Sequence, residues 1–300
     1  MPVFPDELIY KLEKQANTNR QHIVEMIYRA GSGHPGGSLS SIDVLTTLYF
    51  HEMKQDGKNP TMEDRDRLVL SKGHACPGLY ACLAENGYFP VEELKTLRKL
   101  GSRLQGHPDM HKTPGVEVST GSLGQGIAVS VGMAMAAKLD RKQYRIFCII
   151  GDGECQEGSV WEALMASSHY KLDNIIFILD RNQLQIDGPT ERIMGIEPLE
   201  AKFKAFGMHV IQINGHNMRE ILAALDEGTW FVGKPTMIIA HTLKGKGVSF
   251  MEGALEFHGK APNKEEYELA MKELKEEAKH LDQEWKEKSL KKNKKGGGRK

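Results

Sequence analysis

Two short apolar runs separated by a helical pattern constrain the fold of this chain more than any other part of its sequence. The runs RIFCII (145–150) and NIIFILD (174–180) are rich in β-branched residues and lack helical spacing, which is typical of buried parallel strands. Between them, small and apolar residues recur at i, i+3, i+4 and i+7: Val160, Ala163, Leu164 and Ser167. Because neighbouring parallel strands need a crossover connection, this segment predicts a βαβ unit.

Each of the two predicted strands ends in a turn that carries an oxygen ligand. Asp152, between Gly151 and Gly153, follows the first strand, and Asn182 follows the second. Neighbouring strands lie about 4.8 Å apart, so the two turns can share one small ion. A carboxylate and an amide oxygen suit Mg²⁺, which often completes its shell with phosphate oxygens and water. The flanking glycines and the following helix N-terminus favour an anion, so the turns predict a magnesium and phosphate site.

Strand and helix patterns alternate along most of the chain, which favours an α/β fold with a mostly parallel sheet and helices on both faces. A capping box, Asn263 with Glu266, begins a charged helix. We therefore expect one domain over 1–288 and a basic, disordered low-complexity tail over 289–300. The remaining predicted strands are at 67–71, 209–215 and 235–245, and the remaining predicted helices are at 6–30, 41–53, 127–139 and 218–226. Ser40 or Ser41 is the expected N-cap of the helix at 41–53.

Composition excludes several classes of partner and location. The 300 residues include 40 Lys and Arg and 40 Asp and Glu, so no overall field attracts nucleic acid or a membrane surface. The four cysteines show no CxxC spacing, which indicates reduced thiols and a cytoplasmic protein. No apolar run is long enough for a signal peptide or a membrane span. The lysine-rich tail keeps nucleic-acid binding open only as a weaker alternative.

Several histidines lie in loops beyond strands or between helices. His34 occurs in SGHPG, His74 follows the strand RLVLS, and His107 occurs in QGHP. Without further context, a lone histidine in a loop is more often a solvated residue than a functional one. The nearby GSLGQG (121–126) follows no strand and reverses the GxGxxG spacing, so a dinucleotide site is disfavoured.

A long, specific resemblance gives these motifs a common meaning. The sequence from GDGECQEGSVWEALMAS through DRNQLQIDG resembles the GDG-to-N signature of thiamine diphosphate enzymes, and of transketolases in particular. SGHPG, the DR-VLS-GHA segment and GHP are similar to transketolase motifs as well, and the likeness runs from about Ile9 to Ala261. It implies the thiamine diphosphate-binding fold and transfer of a two-carbon ketol unit from a ketose phosphate to an aldose phosphate. The implied cofactors are thiamine diphosphate and Mg²⁺, with Ca²⁺ or Mn²⁺ as substitutes.

The same resemblance implies roles for individual residues. The metal ligands would be Asp152, Asn182 and the backbone carbonyl of Leu184. Glu157 matches the glutamate that meets the activating glutamate across the dimer interface in the family. The cofactor contacts would be His74, Gly121, Leu123, Gly153, Glu157, Asn182, Ile186, Lys244 and His258, and the catalytic groups His34, His107, His258 and Glu157.

The resemblance covers only the first half of a full-length transketolase. In the family, the activating glutamate belongs to a separate pyrimidine-binding module, and we expect this chain to end before such a module begins. We therefore expect a split transketolase in which a separately encoded C-terminal subunit completes the site, with two copies of each chain forming a heterotetramer. The resemblance implies pentose phosphate metabolism as the setting of this enzyme.

Three other functions remain open. Half of a deoxyxylulose phosphate synthase would share the same metal motif. The first component of pyruvate dehydrogenase has two adjacent asparagines where this chain has Asn182 followed by Gln183. The third is a non-catalytic interaction or regulatory module derived from a transketolase chain, although the retained ligand set argues against such decay.

Overall fold

A five-stranded sheet in which all paired strands are parallel organises the described part of the chain. The computed structural model describes residues 3–296, with side chains through residue 290. The strand order is β1-β2-β3-β7-β6, and a two-stranded antiparallel ribbon, β4–β5, lies outside this sheet. The strands are β1 (Arg67–Leu70), β2 (Ile146–Gly151), β3 (Ile175–Arg181), β4 (Leu184–Gln185), β5 (Gly188–Pro189), β6 (His209–Asn214) and β7 (Thr236–His241).

Helices cover both faces of the sheet, as the sequence predicts. Successive strand residues alternate between two cores: Phe147 and Ile149 belong to one, Cys148 and Ile150 to the other. Because both faces are covered, the strands are almost continuously apolar. The first core is completed by α1 (Asp6–Ala30), α3 (Ile42–Thr47), α4 (Cys76–Glu85), α9 (Met218–Trp230) and α10 (Lys264–Gly296), and the second by α5 (Gln125–Leu139), α6 (Gly158–His169) and α8 (Leu199–Ala205). A short helix, α7 (Thr190–Ile193), follows β5.

The predicted βαβ unit is confirmed as β2, α6 and β3. The strands pair in parallel with Gly151 opposite Asp180, so Asp152 and Asn182 leave neighbouring strand ends on the same edge of the sheet. The predicted inner face of α6 is buried at Val160, Ala163, Leu164 and Ser167.

The segment around His34 differs from the expected turn between two helices. Residues after His34 form a further short helix, α2 (Pro35–Ser40), with Pro35 in its first turn and all six residues buried. Proline at the start of a helix costs no backbone hydrogen bond, which permits this early start. Ser41, a predicted cap for the next helix, instead donates its hydroxyl to the carbonyl of Gly37, so its side chain caps nothing.

The predicted capping box at the start of α10 is present. The N–H of Asn263 donates to Glu266 at 2.8 Å, and the N–H of Glu266 donates back to the Asn263 side chain at 2.9 Å. The helix continues to Gly296, beyond the domain end expected at residue 288. The last four residues of the expected tail, 297–300, lie outside the described residues.

All four cysteines carry free thiols and are buried. Burial raises the pKa of the Cys76 thiol to about 12, so this thiol is protonated and unreactive at neutral pH. Over residues 3–296, no helix combines the length and the apolar character needed to cross a membrane.

Candidate active site

A cleft of about 370 Å³ at the carboxyl ends of β2 and β3 brings all the sequence-predicted site residues together. The predicted lining residues are His34, His74, His107, Gly121, Leu123, Asp152, Gly153, Glu157, Asn182, Leu184, Ile186, Lys244 and His258. Ligands of open parallel sheets bind at this edge. The cleft is also lined by Gly151, which the sequence analysis places beside Asp152, and by five residues that were not predicted: Gly37, Lys72, Glu154, Gln156 and Gln185.

Asp152 is a buried carboxylate with limited positive charge around it. One oxygen accepts from the Arg181 guanidinium at 3.0 Å and from the N–H of Gln183, and the other accepts from the N–H of Gly153 at 2.7 Å. Burial and the neighbouring Asp180 raise the pKa of Asp152 despite the Arg181 charge. A cation bound here would relieve this unfavourable burial of negative charge.

Asn182 and Leu184 present neutral oxygens beside Asp152. The Asn182 amide donates to Asp180 at 2.9 Å, which orients its oxygen toward the N–H of Leu184 at 3.2 Å. The Leu184 carbonyl accepts from the Lys244 ammonium at 2.9 Å, so a cationic group already lies at this oxygen. Among the described residues, no group of three His, Cys, Asp or Glu is arranged for a metal. A metal here would therefore rely on one carboxylate and neutral oxygens, a set that suits a hard cation.

A buried ion pair beneath the cleft was not found from the sequence. The Lys72 ammonium contacts Asp180 at 2.5 Å and the Gly37 carbonyl at 3.0 Å. Burial raises the pKa of Asp180, but the charge of Lys72 and the hydroxyls of Ser40 and Thr242 lower it by a larger amount. The pKa of Asp180 is therefore below its usual value. The pair fixes the ends of β1 and β3 and the helix α2 against one another. Its only sequence signal is a charged residue at the end of each apolar run.

Glu154 is a second residue that sequence reasoning missed. Its buried carboxylate accepts from the Ser71 hydroxyl and from the N–H groups of Gly124 at 2.8 Å and Gly151 at 3.0 Å. These donors lie at the end of β1, before α5 and at the end of β2. One carboxylate therefore connects three of the turns that form the cleft.

Four histidine rings cluster at one end of the cleft. The centroid of the His34 ring lies 5.2 Å from that of His74, 6.4 Å from His107 and 5.7 Å from His258. Burial and the charges of Arg98 and Lys244 lower the pKa of His34 to about 4, while burial and Lys244 lower the pKa of His258 to about 3. Burial, aided by the same surrounding positive charge, also lowers the pKa values of His74 and His107. The cluster is thus neutral at pH 7.

Lys244 determines which nitrogen of His258 carries the proton. Its ammonium lies 2.7 Å from Nδ1 of His258, and since an ammonium can only donate, Nδ1 is the acceptor. The proton of this neutral ring is therefore on Nε2. Burial lowers the pKa of Lys244 itself to about 8.

Arg98 is a third functional candidate absent from the sequence prediction. One guanidinium nitrogen donates to the Ser32 hydroxyl at 2.8 Å, and the other lies 3.4 Å from Nδ1 of His34. Its backbone has φ +60°, so this charged residue lies in a tight turn that no periodic pattern reveals. Arg98 supplies positive charge that favours neutral His34 and His107.

The opposite end of the cleft is open. Glu157 is exposed at the start of α6, and Ile186 is 66% exposed in the β4–β5 turn.

Gly121 has φ +152°, and a Cβ there would lie 2.9 Å from the His107 ring. Glycine is therefore required where this turn meets the histidine cluster.

The family comparison covers nearly the whole chain. The family described as "Transketolase, thiamine diphosphate binding domain" matches residues 12–296. The chain is 49% identical over 266 residues to the 6-deoxy-6-sulfo-D-fructose transketolase subunit SqwG of Clostridium sp. (strain MSTE9), covering 89% of this chain and 97% of that protein. It is 45% identical over 273 residues to one subunit of the apulose-4-phosphate transketolase of Phocaeicola vulgatus, covering 91% of this chain and 97% of that protein.

Full-length transketolases match over less than half of their own length. Human transketolase is 40% identical over 272 residues, which cover 90% of this chain and 43% of that protein. The crystal structure of transketolase from Campylobacter jejuni superposes with a TM-score of 0.83 at 40% identity, covering 89% of this chain and 42% of that chain. These findings confirm the predicted resemblance, the α/β fold and the ketol-transferring class of enzyme. The chain belongs to the transketolase family and contains that family's thiamine diphosphate-binding domain.

Proposed function

We propose that this chain is the cofactor-anchoring subunit of a two-chain transketolase, and that it binds Mg²⁺ as well as thiamine diphosphate. The observation that carries the proposal is the single cleft lined by all thirteen residues that the transketolase resemblance implies. The near-complete coverage of relatives named as transketolase subunits supports a separate partner chain. In this assembly the chain takes part in moving a ketol unit from a ketose to an aldose.

The chemistry of the cleft fits both parts of the cofactor. Asp152, Asn182 and the Leu184 carbonyl would hold the metal, because Asp152 is a buried carboxylate whose raised pKa a cation would reverse. Lys244 and His74 would bind the diphosphate. The glycine-rich turn at Gly121 would admit the flat ring that this cofactor carries. Thiamine diphosphate supplies the electron sink for breaking and forming the carbon–carbon bond.

The histidines of this chain would bind and orient the sugar. Since the pKa values of His34 and His258 lie at about 4 and 3, both rings are neutral at pH 7 and act as hydrogen-bonding groups rather than as cations. His258 holds its proton on Nε2, because Nδ1 accepts from Lys244. His34, His107 and His258 would thus donate to or accept from sugar hydroxyls and hold protons near the reacting carbons.

The partner subunit would cover the exposed face of α5 and the open end of the cleft. α5 is apolar on all sides, which is typical of a buried helix, yet Ala128, Val129, Gly132 and Ala136 form an exposed stripe. The stripe follows directly on the cleft residues Gly121 and Leu123. Glu157, exposed beside the start of α5, would meet the activating glutamate of the partner. Two copies of each chain would complete the assembly.

The substrate class would be ketoses with an anionic group. The relatives are named for apulose-4-phosphate and for 6-deoxy-6-sulfo-D-fructose, so sugar choice varies among subunits of this kind. A role in the pentose phosphate pathway stays a prediction. The four free, buried thiols support the cytoplasm as the proposed location.

Asp152→Ala tests the metal and cofactor site. Calorimetry of the full chain with Mg²⁺ and thiamine diphosphate should show the dissociation constant rising by at least about 100-fold, because the only carboxylate among the proposed metal ligands is lost. Arg181 keeps Glu191 and Glu197 as partners, so the fold should persist. The matched control is Asp187→Ala, which removes an exposed carboxylate from the β4–β5 turn. Unchanged, metal-dependent binding in Asp152→Ala would refute the site.

A further inference from the structure

We infer that His216, with Asp43 and Arg20, positions the turn that carries Lys244 into the cleft. Residues 243–247 form a wall between two cavities. Lys244 lines the cofactor cleft, whereas Lys246 lines a second cavity of about 470 Å³ to which all three members of this triad contribute. The inference rests on the proposed function, which gives Lys244 its role toward the cofactor.

His216 holds the start of the turn through a fixed tautomer. The N–H of Leu243 lies 2.8 Å from Nε2 of His216, and since a backbone N–H can only donate, Nε2 carries no proton. The ring proton is therefore on Nδ1, which donates to Asp43 at 2.8 Å. The carboxylate fixes the orientation of the ring, and the ring fixes Leu243.

Arg20 holds the other end of the same turn. Its Nη2 donates to the Asp43 oxygen that His216 also contacts, and its Nε donates to the Lys246 carbonyl at 3.1 Å. Burial raises the pKa of Asp43, but Arg20 and His216 lower it by a larger amount, so the carboxyl is ionised. A buried, hydrogen-bonded ionic group of this kind defines one geometry for the segment that it contacts.

This geometry decides where the Lys244 ammonium lies. The Lys244 residue is 2% exposed, and its Nζ contacts the Leu184 carbonyl at 2.9 Å and Nδ1 of His258 at 2.7 Å. A shift of about 1 Å that carries the ammonium away from these two acceptors would lengthen both contacts beyond hydrogen-bonding distance. His216 is thus a positioning residue that acts on the cleft through Lys244.

His216→Phe keeps the ring size and removes both nitrogens. Amide hydrogen exchange in the cofactor-free full chain, measured by mass spectrometry, should become about tenfold faster for residues 243–247, as expected for the loss of one hydrogen bond. Binding of thiamine diphosphate with Mg²⁺ should weaken about tenfold for the same reason. His216→Gln, whose amide can accept from Leu243 and donate to Asp43, should restore most of both.

His209→Phe is the matched control, because His209 is also half-buried and contacts a carboxylate, Glu227, at 2.8 Å. Its exchange at 243–247 and its cofactor binding should equal those of the wild type. Unchanged exchange at 243–247 in His216→Phe would overturn the inference, as would equal losses in both variants. If the wild type did not bind the cofactor, the proposed function would be wrong. The comparison of amide hydrogen exchange would still show whether His216, Asp43 and Arg20 hold residues 243–247 in place.

Arg20→Lys provides an independent test if His216→Phe does not fold. The lysine retains the positive charge beside Asp43 but lacks the Nε–H that holds the Lys246 carbonyl. The rate of amide hydrogen exchange should rise at residues 243–247 and remain unchanged in β3. Wild-type exchange at 243–247 would again contradict the inference.

Discussion

Glu154 differs in its hydrogen-bond donors from Asp152, the other buried carboxylate of the cleft, and from Asp180 beneath the cleft. Asp180 faces the Lys72 ammonium and Asp152 faces the Arg181 guanidinium, whereas Glu154 accepts from a hydroxyl and two backbone N–H groups. Burial raises the pKa of Glu154, while these donors oppose the rise. Its role is therefore to fix backbone positions rather than to balance a charge.

Glu154→Gln tests this role at the scale of one atom. The amide keeps the shape but has one acceptor oxygen, so an NH₂ group would face either Gly151 or the Ser71 and Gly124 donors. An unpaired buried donor costs about 1–3 kcal/mol, so affinity for thiamine diphosphate with Mg²⁺ should fall at least about fivefold in calorimetry. Glu162→Gln, on the exposed side of α6, should bind like the wild type. Equal affinities in the two variants would refute the role.

The helix α5 is apolar in sequence, yet one of its sides is exposed to water. Its buried side packs on β2 and α6 through Ile127, Val131 and Ala134, yet its outer side is apolar as well. An apolar helix face in contact with water is typical of an interaction surface. Gly132 lies on this face, and a Cβ there would meet nothing within 4 Å.

Gly132→Glu separates the stability of the chain from its association. Replacing a mid-helix glycine should stabilise the chain by up to about 1 kcal/mol, seen as a higher melting temperature. The same charge should abolish association with the proposed partner subunit, measured by co-purification and light scattering. Gln283→Glu, an equal charge change on the exposed side of α10, should affect neither. Normal assembly of Gly132→Glu would place the partner elsewhere.

Stability of the whole domain is linked to pH through the histidine cluster. In the folded chain the pKa values of His34 and His258 are about 4 and 3, below the usual 6.5. Below pH 6.5 the unfolded chain therefore binds more protons, and the free energy of unfolding must fall as the pH is lowered. Above pH 6.5 both states are neutral at these rings, so this contribution is constant.

Denaturant unfolding between pH 7 and pH 4 measures this linkage. The cofactor-free wild type should lose stability steadily as the pH falls from 6.5 to 4, and His258→Asn should lose less, because one buried site no longer resists protonation. His51→Asn, at an exposed histidine, should follow the wild type. If His258→Asn left the change of unfolding free energy with pH unaltered, the pH dependence would not originate at this histidine.

The sequence by itself determined the βαβ unit, most of the other helices and strands, and thirteen of the residues that line the cleft. Strand runs, helix spacing and the turn motifs are local, so the βαβ unit and the places of Asp152 and Asn182 follow from neighbours along the chain. The family motifs added His34, His107 and His258, which all line the cleft.

Only the tertiary structure decided which charged groups point inward and what holds them. GDGECQEG contains two glutamates three residues apart, and nothing in the pattern shows that Glu154 is buried and Glu157 exposed. The Lys72–Asp180 pair joins residues 108 positions apart, and the contact between Leu243 and His216 joins two separate turns. Periodicity describes one element at a time. A buried charge is tolerated only where distant segments supply its partners, so its place is fixed by the packing of those segments.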